Sequence, residues 1–416
     1  MSNTQEIIES VLSKVSIFKS KEKLYPEYVP NVLPHRERQL RELASIFKTI
    51  LLEPGSVSQR ALLVGGVGTG KTVTARAFGK DFTLIARRRG INLKYIHVNC
   101  HRDRTLYEIT VETIKQLGAS IPTRGLSPQE MFSAIHNYLD RENIYMILAL
   151  DEFDYFISTA GNDAVYFLIR IYDEHPSLVK RINYIFITRS LTSLSLLDST
   201  TESYLIKRIV RFEPYTSKEL FDILKVRSGE AFYPGCVSED VLNFIANSVG
   251  VDKGGTGNAR AALELLLLAG EIAEQEGSHM ITYEHVRKAY AYVDPNAVII
   301  SDIISYLKLQ ELLLLKAIVT ALKNSNEFEV TMGTVEKEYK KICRSYRIKP
   351  RKHTQVYEYV MNLKKLGIIS ARISGKGYRG KTTLISISAV PLDVLNKMVT
   401  NAIDKLIAGG YVDSHA

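Results

Sequence analysis

The chain has 416 residues, too many for one ordinary core, so two or three domains are expected. Apolar residues make up 45% and charged residues 24%, a soluble globular profile, and no apolar run reaches membrane-spanning length. The net charge of +9 fits a polyanionic partner, nucleic acid before membrane, as well as a solvated basic surface.

Cys100, Cys236 and Cys343 are far apart, which argues against a disulfide framework or zinc site and fits a reducing compartment. Met1–Lys14 is polar and mixed in charge, unlike a signal peptide, so a cytoplasmic location is expected. Residues 1–34, with Pro26, Pro30 and Pro34, read as an irregular arm. An amphipathic helix is predicted over His35–Leu52, a short strand over Ala61–Val64 and a helix over Thr72–Phe82. Strand Leu93–Val98 and helices Leu106–Leu117 and Pro128–Leu139 follow. Tyr145–Leu150 and Asn183–Thr188 are continuous apolar runs, as buried parallel strands are. Alternating strands and helices predict a parallel sheet covered on both faces. From Ser217 the strand signal stops. Four helical patterns, Lys218–Val226, Ser238–Ser248, Asn258–Glu276 and Thr282–Ala291, make a small helical domain before a linker at Asp294-Pro295-Asn296.

Gly65-Gly66-Val67-Gly68-Thr69-Gly70-Lys71-Thr72 matches G-x-x-x-x-G-K-[ST] between a strand and a helix. Glycines let the backbone curl its N–H groups around phosphates, and the helix N-terminus adds positive potential. Val67, Gly68, Thr69 and Gly70 are the expected cradle. Lys71 would reach the β- and γ-phosphates of ATP or ADP, and Thr72 would bind Mg²⁺. The strand Ile147–Leu150 ends at Asp151 and Glu152. Asp151 is suited to the Mg²⁺ shell and Glu152 to polarising water. Gly257-Asn258-Ala259-Arg260 opens a helix whose Arg260 can point at a γ-phosphate.

Three helical patterns, Ile303–Leu322, Thr334–Tyr346 and Thr354–Leu366, precede strands near Ile368–Ile373 and Thr383–Ser388, the order of a winged helix. Val356, Val360 and Leu363 should face its core. Arg344, Arg347, Lys349, Arg351 and Lys352 precede or open the third helix, where a recognition helix enters the major groove. Gln355 and His353 are candidate base readers. Lys376, Arg379 and Lys381 crowd the wing tip, suited to phosphates.

These parts, in this order, resemble AAA+ ATPases. More closely, the chain resembles the archaeal ORC-type replication initiators, relatives of the eukaryotic origin-recognition and helicase-loading subunits. The match is carried by Tyr28-Val29-Pro30 with Leu33–Glu37, Val98-Asn99-Cys100, Ile121–Ser127, Leu150–Asp154, Glu213-Pro214-Tyr215 with Leu220–Leu224, Gly257–Ala262 and His285–Ala289. The resemblance implies an α/β fold: an AAA+ P-loop parallel sheet (35–214) with a helical lid (215–296), a C-terminal winged helix (300–390) and a helical tail (391–416). It further implies Tyr215 and Arg227 lining the nucleotide, Arg124 and helix Pro128–Leu139 as a second DNA contact, and double-stranded origin DNA, the replicative helicase and paralogous initiators as partners. Two departures stand out. Strand Tyr184–Thr188 runs into Thr188-Arg189-Ser190 where a polar sensor, commonly Asn, is expected, and Leu197–Glu202 has no arginine finger. Slow hydrolysis is therefore expected, with ATP as a switch. A P-loop switch ATPase of transposition, defence or transcription, and a protein-interaction ATPase, share the same nucleotide motifs.

Overall fold

The computed structural model describes residues 16–174, 176–293, 304, 307–325, 327–374, 382–387 and 391–408. The linker Asp294–Asn296 and the wing-tip residues Lys376, Arg379 and Lys381 lie outside them. The chain forms two compact units: Tyr25–Ile223 with Val249–Ala261, and Met1–Leu24 with Leu224–Ser248 and Ala262–Ala416.

The first unit is built on β1 (Arg60–Val64), β2 (Leu93–Asn99), β3 (Tyr145–Asp151), β4 (Ile182–Thr188) and β5 (Ile209–Arg211), all parallel, in the order β2-β3-β4-β1-β5. Its helices are α1 (Glu37–Leu52), α2 (Lys71–Arg88), α3 (Leu106–Leu117), α4 (Pro128–Arg141), α5 (Phe153–Glu174) and α6 (Ser199–Leu205). Successive strand residues point to opposite faces, so each apolar strand feeds two cores. Leu62, Ile96, Leu148 and Phe186 pack with Met131, Phe132 and Phe156 on one side. Leu63, Ile147 and Ile185 pack with Phe47 and Phe78 on the other. Parallel register then aligns the strand ends: Asn99 lies opposite Asp151, and Val64 opposite Thr188. The loop leaving β1 therefore shares one edge of the sheet with Asp151 and Thr188. Helix α5, broken at Gly161, and the elements α6 and β5 were not foreseen.

In the second unit, the described start of the arm is irregular apart from a 3-10 turn at Lys21–Leu24 and packs on the lid. Lys19 and Ser20 N–H groups donate to the Ala231 carbonyl, and the Phe18 ring stacks on Phe232 at 4.6 Å. Helix α7 (Ser217–Ala231) begins in the first unit and ends here; α8 (Glu239–Val249), α9 (Ala259–Gln275) and α10 (Tyr283–Val293) complete the helical lid. The winged helix comprises α11 (Leu309–Ser325), α12 (Met332–Ser345) and α13 (His353–Lys365). Strands β6 (Val330–Thr331), β7 (Ser370–Ile373) and β8 (Thr383–Ser386) run antiparallel in the order β6-β8-β7. Val356, Val360 and Leu363 face its core as their spacing predicts. The C-terminal helix α14 (Leu392–Ala408) gives Leu392, Leu395, Val399 and Ile403 to that same core.

Candidate functional site

The loop between β1 and α2 is held from three sides. Gly68 and Gly70 adopt left-handed φ values of 72° and 88°. The Thr69 hydroxyl donates to the Gly66 carbonyl at 2.9 Å, while Val67 is exposed at the tip. Behind the loop, buried Arg36 donates to the Thr69 carbonyl from Nε (3.1 Å) and Nη2 (2.7 Å). Its guanidinium lies 3.8 Å from the centroid of the buried Tyr215 ring, whose hydroxyl also stands against the loop, 2.6 Å from where a Cβ on Gly70 would lie. On the third side stands the start of α9. The Ala259 N–H donates to the Gly68 carbonyl at 3.1 Å, and Asn258 Oδ1 accepts from the Arg260 and Ala261 N–H groups. A Cβ on Gly68 would lie 1.7 Å from that oxygen, so with its left-handed φ the position favours glycine unless Asn258 turns away.

Lys71 donates from Nζ to the Gly65 and Gly66 carbonyls at 2.6 and 2.7 Å. Burial lowers its pKa to about 8 against the pull of Asp151, with Arg189 and Arg260 close enough to lower it further. Burial also disfavours ionised Asp151. Hydrogen bonds from His97, Thr72 and the Glu152 N–H outweigh it, and the carboxyl sits below its ordinary range. The His97 contact is 3.1 Å from Nε2 to Oδ2, and Tyr95 holds the other ring nitrogen, Nδ1, at 3.0 Å. Lys71, Thr72 and Asp151 thus converge. A hydroxyl and an ionised carboxylate are hard oxygen donors of the kind Mg²⁺ takes.

Glu152 sits at φ 53°, its N–H bonded to Asp151 Oδ1 at 2.9 Å. Arg189 Nη2 reaches its carboxylate at 3.4 Å, and Arg189 Nε lies 3.9 Å from Asp154. The Thr188 hydroxyl turns back to the Ser190 carbonyl at 3.0 Å, so the polar group that β4 extends toward Glu152 is Arg189. Arg208 is exposed and donates to Gln59 Oε1 at 2.7 Å. Asp198 caps α6. Arg227 belongs to the second unit, where its buried guanidinium donates to the Lys23 carbonyl. Sequence reasoning missed His97 and quoted Arg36, Asn258 and Arg189 only within longer motifs, without these contacts. A histidine two residues from the end of β2, between Ile96 and Val98, was the available signal for His97.

On the winged helix, Lys352 is the N-cap of α13, and Lys352 and Gln355 are exposed. Arg344, Arg347 and Lys349 are exposed beside it; Arg351 is half-buried, its N–H donating to the Tyr339 hydroxyl at 3.3 Å. His353 is exposed and bound through Nδ1 to Glu336. In the first unit, Arg124 is exposed just before α4.

A phosphate-binding loop after one of five parallel strands, a carboxylate at the end of another, a helical lid and a winged helix together define an AAA+ ATPase with a C-terminal winged-helix domain. Residues 58–188 match the AAA domain, 221–291 the Cdc6 AAA+ ATPase-type lid domain and 302–397 the CDC6 C-terminal winged helix domain. ORC1-type DNA replication protein 2 of Saccharolobus solfataricus is 50% identical over 386 residues, covering 92% of this chain and 93% of that protein. The crystal structure of Cdc6p from Pyrobaculum aerophilum superposes with a TM-score of 0.81 at 32% identity, covering 94% of this chain and 99% of that one. The ORC1 protein of Aeropyrum pernix, solved in complex with DNA, gives a TM-score of 0.59 at 32% identity, covering 95% and 99%. The chain belongs to the ORC1/Cdc6 family of archaeal DNA replication initiators. Among the described residues no helix is long and apolar enough to cross a membrane.

Proposed function

We propose that this protein is an ATP-switched initiator that recognises double-stranded origin DNA and regulates recruitment of the replicative helicase, acting with paralogous initiators on the nucleoid. The observation that carries the DNA reading is the N-terminal end of α13, which stands outside the winged-helix core with Lys352 and Gln355 exposed and Arg344, Arg347 and Lys349 beside it. An end of that kind suits the major groove. The Aeropyrum pernix relative was solved with DNA, which supports the same partner here. Gln355 is the candidate base reader, and Arg351 and Lys352 hold backbone phosphates. Lys376, Arg379 and Lys381 extend the phosphate contact at the wing, and Arg124 supplies one from the ATPase domain.

At the nucleotide site, the N–H groups of Val67–Thr72 cradle the phosphates of ATP or ADP and Lys71 moves from the loop carbonyls to them. Thr72 and Asp151 hold Mg²⁺, which neutralises phosphate charge when bound. Glu152 polarises water, Arg260 faces the γ-phosphate, and Tyr215 supports the loop; Arg227 completes the lid side. Hydrolysis is slow, because Leu197–Glu202 supplies no arginine finger and Arg189 engages Glu152.

Selection of bound fragments from sheared genomic DNA, with ATP present, tests this. A single recurring sequence should emerge. K352A should weaken binding about equally on all sequences and reduce the salt slope by about one, whereas Q355A should relax preference at one base position. Recovery of fragments with no shared sequence contradicts origin recognition.

A further inference from the structure

We propose that the groove between α2 and the outer edge of β2 binds an extended acidic peptide segment of a partner protein, adding it to the sheet as a strand. Among the described residues β2 ends the sheet and pairs with β3 alone. The Cys100 N–H donates to Asp151 and the Asn92 carbonyl accepts from Tyr145, so even-numbered positions turn toward β3. Odd-numbered positions therefore turn their N–H and C=O outward. At His97 one side chain takes both: Gln116 of α3 accepts from the His97 N–H at 3.1 Å and donates to the His97 carbonyl at 3.0 Å. This is a one-residue imitation of a neighbouring strand. The next outward positions, Tyr95 and Leu93, have no such partner among the described residues and line a groove of about 900 Å³.

The groove is cationic. Arg76, Lys80 and Arg87 line it from α2 and Lys94 from β2, and no carboxylate lines it. None of the four is in an ion pair among the described residues. Glu112, beside Gln116, is already engaged by Arg102 at 3.6 Å and Lys115 at 3.7 Å. Its inner wall is apolar. The Tyr95 ring lies so close on α2 that a Cβ at Gly79 would come within 2.3 Å of it, and Leu84 is 44% exposed. Nucleic-acid phosphates can use the cations. They accept from N–H groups but have no donor for the outward C=O groups paired with them, which repeat every second residue, about 6.6 Å apart, the spacing of an extended peptide. Charge and backbone geometry together select an acidic strand.

Fluorescence anisotropy on the full chain tests this, with a short fluorescein-labelled peptide of alternating valine and glutamate as the probe. We expect saturable binding, weakened about tenfold or more both by K80E/R87E and by N-methylation of alternate peptide amides. ATP affinity of the variant should be unchanged, since both side chains are exposed and lie away from the phosphate loop. Absence of saturable binding, or equal binding of the N-methylated peptide, overturns the proposal. Displacement by a DNA duplex whose own binding falls in K80E/R87E also overturns it, assigning the groove to nucleic acid.

Discussion

His97 shows how much of the nucleotide site rests on side chains outside the loop. It joins the buried Tyr95 hydroxyl to Asp151, fixing the direction of the carboxylate while Thr72 approaches from the loop side. Such outer partners typically carry about 10–100-fold in metal affinity. H97A should therefore weaken Mg²⁺-dependent ATP binding by at least about tenfold and leave ATP binding in EDTA close to wild type, measured by calorimetry. An equal loss in both conditions would mean that His97 merely stabilises the sheet. Gly68 is constrained twice, by φ 72° and by Asn258. G68A should separate the loop from the start of α9, costing about 1–3 kcal/mol in stability and most of the nucleotide affinity. Wild-type melting and ATP affinity in G68A would contradict the contact. Lys71, Thr72 and Asp151 were legible in sequence because their chemistry is written in short motifs. Arg36 was not, since its hold on Thr69 spans 33 positions, and His97 meets Asp151 across 54, through strand register alone.

At the scale of elements, β3 and β4 were readable because both their faces are buried, which leaves an uninterrupted apolar run. Short edge pieces were not: β6 has 2 residues and β5 has 3, too few to show a period. Helix α5 escaped notice because Gly161 breaks its pattern midway. The four lid helices were all legible, and α10 carries a pH-sensitive contact. Burial lowers the pKa of His285, opposed by Glu276. Its Nδ1 accepts the Thr282 N–H at 3.1 Å, leaving Nε2–H for Glu276 at 3.3 Å; the neutral ring satisfies both. Lys288, which also faces Glu276, disfavours the imidazolium further. An unfolded histidine takes up its proton near pH 6.5, whereas the folded one does so only below that. In that interval the unfolded chain binds more protons, so stability falls as pH drops through about 6.5. Thermal melts between about pH 7 and 5 should show this loss, and H285Q should flatten it. Equal acid sensitivity in H285Q and wild type would remove His285 as its source.

For the whole molecule, the lid and winged helix belong to one compact unit. Buried Arg287 of α10 donates to the Ile387 carbonyl at 3.1 Å, and the Phe244 ring lies 4.7 Å from Phe328. The phosphate loop and the start of α9 belong to the other, and α7 and α9 run through both. A nucleotide that draws on Arg260 thereby acts at the N-terminus of a helix that continues into the lid. This organisation suits a ligand that sets the conformation of the winged-helix unit more than one consumed at speed. The most direct test is DNase footprinting on the selected DNA fragment with ATP, with ADP and without nucleotide. The expected result is protection of one sequence whose extent or affinity differs at least about tenfold between ATP and ADP, a difference lost in K71A. Identical protection in all three conditions, or protection without sequence preference, would contradict the reading of this chain as an ATP-switched initiator.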